Sequence, residues 1–215
     1  RVPYSILNDG RREREGDWRM NRTLRTILLG GLALLAAPVL YALPATLSLP
    51  SGQRPGLEPL TLAQAARQLA ATGESGWALV EAARALVAER MAYCRRNSFD
   101  PYPRAFERGY GYCQQQAHAL ADLLRRLGFD ARVVTALRNR FPDGSVGGHA
   151  WVRVTVGGAS REIDSIHYDR AAGRIDFTPL TRVFEYTPAF RLFAGWSSAA
   201  LNAHRYYRTG KDRGG

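Results

Sequence analysis

At Gly128 the chain changes its hydrophobic period, and that switch limits the folds open to it. Before it, residues 61–72 (TLAQAARQLAAT), 75–92 and 112–127 repeat apolar side chains at helical spacing. After it, residues 131–137 (ARVVTAL), 149–156 (HAWVRVTV) and 161–167 (REIDSIH) read as strands. The turn signals Pro142-Asp143-Gly144 and Gly157-Gly158 separate them. Helices first and an antiparallel meander second make an α+β domain. Thr61 is placed to cap the first helix and Gly73 to stop it. Residues 95–111, polar, aromatic and broken by Pro and Gly, are expected to form a long loop.

A second constraint lies upstream. No charge occurs from Thr26 to Gln53, and ILLGGLALLAAPVLYAL (27–43) is apolar throughout, long enough for a membrane span. Arg19, Arg22 and Arg25 precede it, which by the positive-inside rule puts the N-terminus in the cytosol and the remainder outside. Starting at Met20, the segment has the basic and apolar regions of a signal sequence, with residues 1–19 an upstream extension. Leu40 and Leu43 occupy the −3 positions for cuts after Ala42 and Ala45, so an uncleaved anchor is expected over a cleaved signal. The partition is then a basic cytosolic tail (1–25), an anchor or signal (26–47), a Pro/Gly linker (48–60), a catalytic domain (61–190), and a C-terminal covering helix with a basic tail (191–215). Pro188 and Gly195 are expected to break any long amphipathic stripe in that last segment.

The chemistry centres on Cys113, one of only two cysteines. On a helix starting near Tyr112, Cys113 heads the stripe Ala117, Leu120, Leu124, Leu127, so it lies at the N-terminal end of the sheet-facing side. Free N–H groups and the positive end of the helix dipole there favour a thiolate, the nucleophilic form. The Cys113 N–H is placed to serve in an oxyanion hole. Asn97, Tyr110, Tyr112 and Trp151 all stay open as a second donor. Gly109 and Gly111 let backbone or substrate approach closely.

Strand parity supplies the partners. If Gly157-Gly158 is a two-residue hairpin loop, Asp164 faces Trp151, and His149, two residues from Trp151, shares that side. A four-residue loop keeps the same side; a three-residue loop does not unless a bulge restores it. His149 is then the general base and later acid for Cys113, and Asp164 holds its imidazole in the right tautomer. His118, on the polar side with Asp122, reads as solvated or locally paired rather than as a metal ligand. His167 falls on the opposite strand face, and Asp169 is the fallback carboxylate. Cys94 ends an amphipathic helix and reads as core; a Cys94–Cys113 disulfide stays open for an exported protein and would silence the thiol.

These motifs, G-Y-C-x-x-x-A with its leucine-rich helix and L-G-F-D-A-R-V-V, H-A-W-V-R-V, and a second strand bearing Asp, resemble the core of the transglutaminase-like superfamily over roughly residues 75–168. The resemblance implies a papain-like arrangement, with a Cys-bearing helix packed on an antiparallel sheet that supplies His and Asp. It implies a cysteine hydrolase (peptidase or amidase) or acyltransferase working on amide bonds of peptides or proteins through a thioester. A catalytically silent membrane-anchored binding module is the competing reading, and a complete Cys/His/Asp set argues against it. Gln115 and Gln116 stand where many relatives carry an acid and an aromatic, which bears on the substrate rather than on the triad. With no amine-donor site identifiable, hydrolysis is preferred to crosslinking.

No cofactor is implied, and without a C-x-x-C pair no structural zinc is expected. The net charge of +11 is carried almost wholly by arginine and partly by the two tails, without a basic helix or an aromatic-flanked arginine cluster. No nucleic-acid partner is expected. The membrane, through residues 26–47, and a peptide or protein substrate are the expected partners, with the catalytic domain on the extracytoplasmic side of the cell envelope.

Overall fold

The computed structural model describes residues 21–49, 52–97 and 99–211. The basic tail up to residue 20 and the end of the C-terminal tail lie outside the described residues. In chain order the elements begin with α1 (Arg22–Leu47), α2 (Leu62–Ala70), α3 (Gly76–Arg90), β1 (Ala92–Tyr93), α4 (Tyr102–Arg108), β2 (Tyr110–Gly111) and α5 (Cys113–Arg126). The strands β3 (Asp130–Arg140), β4 (Val146–Val156), β5 (Ala159–Ile163), β6 (Tyr168–Asp169), β7 (Arg174–Ile175), β8 (Thr178–Pro179) and β9 (Phe184–Glu185) follow, and α6 (Pro188–Thr209) closes the chain. Two compact units result, Arg1–Ala36 and Ala37–Gly215.

The described part of the first unit belongs to α1. This helix is long and apolar enough to cross a membrane or to act as a signal, with a mean hydropathy of 2.1 over its most apolar stretch. Ile27, Leu32 and Leu35 along it stand exposed.

In the second unit, α5 packs on β3 and β4 and is flanked by α2, α3 and α4. The stripe reads out as expected: Ala117, Leu120 and Leu124 are fully buried with Val133, Val152 and Val154 of the sheet. Strand alternation turns Val134, Ala136 and Trp151 to the other face, where they enclose Phe177. The sheet runs β5-β4-β3-β8, antiparallel, with β9 also on β3. The expected cap of α2 is a full capping box: Gln64 N–H donates to Thr61 Oγ1 at 3.2 Å, and Thr61 N–H to Gln64 Oε1 at 2.8 Å.

Three expectations are corrected. The 95–111 loop contains α4 and β2. Pro101 caps the helix and Pro103 sits in its first turn, where a missing N–H costs nothing, so these prolines start a helix rather than forbid one. Ala105 and Phe106 then bury completely, and Gly109 ends the helix at φ 79°.

Residues 52–60 are no slack linker. Arg54 N–H donates to Arg108 O at 2.8 Å, and Arg90 Nη2 donates to Glu58 O at 3.0 Å, strapping the segment to α3 and α4.

The C-terminal helix starts at Pro188 rather than 191, with Thr187 Oγ1 accepting from Phe190 N–H, and runs unbroken through Gly195. Proline at the first helical position initiates it. Its start packs on the sheet edge, Phe190 meeting Phe184 of β9 edge-on at 4.9 Å, while Ala199 and Ala203 are buried against Ala42 and Ala45 of α1. The Tyr207 hydroxyl donates to Tyr41 O at 2.9 Å and accepts from Ala45 N–H at 3.1 Å, inserting into the helical ladder of α1.

The β3–β4 ladder carries a bulge between Ala136 and Asn139. Asn139 is fully buried and spans it, its Nδ2 donating to Ala136 O at 3.0 Å and Gly147 O at 3.1 Å. Bulges raise local twist, here at the end of β4 that carries His149. Asn139→Ala strips two buried carbonyls of their donor and is expected to lower unfolding free energy by about 2–3 kcal/mol, measured by urea denaturation.

Candidate active site

The hairpin between β4 and β5 settles the strand register. Val156 pairs with Ala159 and Val152 with Ile163, so the turn is the two-residue Gly157-Gly158. Both glycines have positive φ, 56° and 83°, which a two-residue hairpin of this kind requires. Asp164 follows directly after β5, and its Oδ2 lies 2.7 Å from Nε2 of His149. The same oxygen accepts from the backbone N–H of His167 at 2.9 Å. His167 thus supports the carboxylate through its main chain, while its ring points 3.7 Å from Asp176.

Both members of the pair are nearly sealed, His149 5% and Asp164 1% exposed. Phe177 and Phe141 meet the His149 ring edge-on at 5.0 and 5.6 Å, and Trp151 stacks at 6.2 Å. Thr135 Oγ1 donates to the His149 carbonyl at 2.7 Å, fixing its backbone. Burial alone would pull the histidine down. Attraction and hydrogen bonding from Asp164, then hydrogen bonding with Cys113, override it and raise its pKa to about 10. With Nε2 engaged by Asp164, the nitrogen left for Cys113 is Nδ1.

Cys113 is the first residue of α5 and half-buried. Its position is set by the two glutamines that follow. Gln115 Oε1 accepts from Tyr112 N–H at 3.1 Å, and its Nε2 donates to Asp100 O at 2.7 Å. Gln116 Nε2 donates to Met91 O and Gly111 O, and its Oε1 accepts from Ser165 Oγ at 3.0 Å. One amide therefore ties the cysteine helix to the residue beside Asp164. Gly111 serves this packing rather than substrate approach: a Cβ there would collide with Met91 and crowd Gln115.

The candidate second oxyanion donors mostly have other work. Asn97 Nδ2 donates to Tyr110 O and the Tyr112 hydroxyl donates to Gln114 Oε1, whereas Trp151 Nε1, buried on the Phe177 side, has no hydrogen-bond partner among the described residues. Gln114, which the sequence reading passed over, lines the cleft beside Cys113. Burial, and next the charge of Cys113, hold the hydroxyls of Tyr93, Tyr112 and Tyr186 above their ordinary pKa, so they stay protonated around the thiol.

His118 is half-buried and locally paired, not solvated throughout. It stacks on Tyr102 and meets Tyr186 edge-on, and burial, then Arg191 and Arg125, lower its pKa to about 4. Asp122 pairs with Arg126 instead. Asp169 accepts from Ala172 N–H within its own turn. Cys94 is buried, Cys113 is half-buried, and no disulfide joins them. No group of three or more His, Cys, Asp or Glu suited to a metal occurs among the described residues.

A cysteine at a helix N-terminus, facing a histidine and a carboxylate from antiparallel strands, defines the papain-like class of fold. Within that class, residues 63–165, just under half of the chain, match the model of the transglutaminase-like superfamily. Comparison with curated proteins finds no match. Among solved structures, a protein of Cytophaga hutchinsonii described as a candidate cysteine protease is similar at 18% identity and a TM-score of 0.42. The alignment covers 59% of this chain and 48% of that one, so the chain spans about half the length of that protein.

The raised pKa of His149 has a sign. A histidine held above its unfolded value of 6.5 stabilises the fold fully below that pH, and the contribution fades as pH rises toward about 10. In a Cys113→Ala background, NMR titration is expected to show His149 still protonated at about pH 8. Asp164→Asn should bring its titration down and flatten the fall of thermal midpoint between those two pH values.

Proposed function

We propose that the protein is a cysteine hydrolase, a peptidase or amidase, cleaving amide bonds of peptides or proteins through a thioester. One observation carries the reading: a buried, carboxylate-held imidazole with its second nitrogen directed to a cysteine at a helix start. The family match supports a cysteine enzyme in general and leaves hydrolysis as our inference.

Cys113 Sγ, its proton on His149, attacks the carbonyl carbon of the amide. The C–N bond breaks as His149 Nδ1 gives that proton to the departing amine, leaving a Cys113 thioester and a neutral imidazole. Water then attacks the thioester carbonyl and gives up a proton to His149. Collapse releases the carboxylic acid and returns the thiolate beside the imidazolium. Asp164 keeps Nε2 protonated and the ring oriented throughout, stabilising the charged form. The Cys113 N–H, at the positive end of α5, faces the developing oxyanion.

In this reading residues 26–47 anchor the enzyme, and the arginines before them keep the N-terminus cytosolic, so the catalytic domain works on the outer side.

Cys113→Ala is expected to abolish hydrolysis of casein-derived peptides, and Asp164→Asn to reduce kcat by at least about a hundredfold. Cys113 should react with iodoacetamide at pH 6 well above the rate of an unstructured cysteine; an ordinary rate would sink the activated thiolate and favour a silent binding module. A glutamine peptide offered with and without a primary amine separates the reactions. Ammonia release in water should dominate, and amine incorporation outpacing it would make the protein an acyltransferase.

A further inference from the structure

Helix α6 lies beyond the family-matched segment, yet it forms a wall of the cleft that holds Cys113. The cleft has two lobes that meet at His149. The lobe with Cys113, about 230 Å3, is mainly apolar: Ala136 and Leu137 of β3 stand across from Phe193, Ala194 and Leu201 of α6. The other, about 370 Å3, is lined by Arg95, Phe141, Asp143 and His167. Arg205 of α6 lines both, as do Tyr93 and Gly148.

Two polar groups of α6 are unexplained by the fold. Asn202 is 7% exposed and lines the Cys113 lobe, and its buried Nδ2 has no hydrogen-bond partner among the described residues. An orphaned buried amide donor is costly, and a bound carbonyl would satisfy it. Arg205 reaches across to the start of β4, its Nη2 3.6 Å from where a Gly147 side chain would begin. It pairs with no carboxylate among the described residues. The charges that face it are Arg95, which like Arg205 acts on Tyr93, the carboxylates of Asp143 and Asp164, and the histidines 149 and 167. Asp143 is engaged by the N–H of Ser145 in its own turn. Asp164 is engaged by His149 and by the His167 N–H, so neither carboxylate at this junction is bonded to Arg205.

We propose that α6 makes the enzyme selective for acidic peptides. An extended substrate places an apolar side chain in the lobe between Leu137 and Leu201 and gives a backbone carbonyl to Asn202. A carboxylate within a residue or two of the attacked amide sits on Arg205. The proposal names the substrate class of the hydrolase described above and rests on that reading for its cleavage step only.

The test uses binding. The full chain bearing Cys113→Ala, in detergent micelles, is titrated with fluorescein-labelled peptides of alanine and leucine that differ only in one central Glu or Gln. Anisotropy is expected to show the Glu peptide binding about tenfold more tightly or better. That preference should fall to near unity in R205Q, persist in R205K, and shrink as salt rises from about 50 to about 500 mM. N202A should weaken both peptides. Equal binding of the two peptides, binding of neither, or a preference that survives R205Q would overturn the proposal. If R205Q unfolds by circular dichroism, R205K and the salt series decide. Tight Glu-peptide binding without hydrolysis by the wild-type enzyme leaves the acidic site standing and removes the hydrolase reading. Hydrolysis of both peptides with equal binding does the reverse.

Discussion

Asp164 and His149 hold each other at 2.7 Å, nearly sealed from water, and much of the surrounding structure serves to keep them there. A buried charge pair is sustained only when its remaining hydrogen-bonding capacity is met. The main-chain N–H of His167 meets it for the carboxylate, and the aromatic rings of Phe141, Trp151 and Phe177 hold the imidazole in one plane. Behind them, Thr135 and Asn139 lock the strand end by bonding backbone rather than side chain. Removing any of these leaves the pair intact on paper but free to tilt.

The cysteine is fixed to this pair by hydrogen bonds that do not touch the thiol. Gln116 bonds the carbonyls of Met91 at the end of α3 and Gly111 of β2 with its amide nitrogen and Ser165 with its oxygen, so the start of α5 and the segment just after β5 share one side chain. This gives a physical account of the glutamines that depart from the common family pattern. They are buried structural ties, and Gln115 closes the turn on which Cys113 stands.

The meeting of His149 and Asp164 was legible because it depends on short-range rules: a Gly-Gly turn fixes register, and register with strand parity fixes which side chains converge. The helix-start position of Cys113 follows equally from local pattern. What stayed hidden depends on distant contacts or on residues with two meanings. Pro101 and Pro103 read as breakers but sit where a helix tolerates them, so α4 went unseen. His118 looks polar on a helical wheel, and only the remote Tyr102 and Tyr186 make its site aromatic. The strap at residues 52–60 has a linker's composition because it is held through its own backbone N–H and C=O groups, which leave no trace in side-chain pattern. Phe177 belongs to the site across a stretch of chain with no periodicity at all.

The seat of α6 on Ala42 and Ala45 changes how the chain can be divided. The two compact units divide within α1, near Ala36, and not at the Pro/Gly-rich stretch after Leu47. A cut after Ala42 or Ala45 would sever the residues that Ala199, Ala203 and Tyr207 grip. The released fragment would keep its thiol and its histidine, but one wall of the cleft would have lost its footing. The last turns of the apolar helix are therefore scaffolding for the enzyme, and trimming them away as a mere leader would dismantle part of the machine.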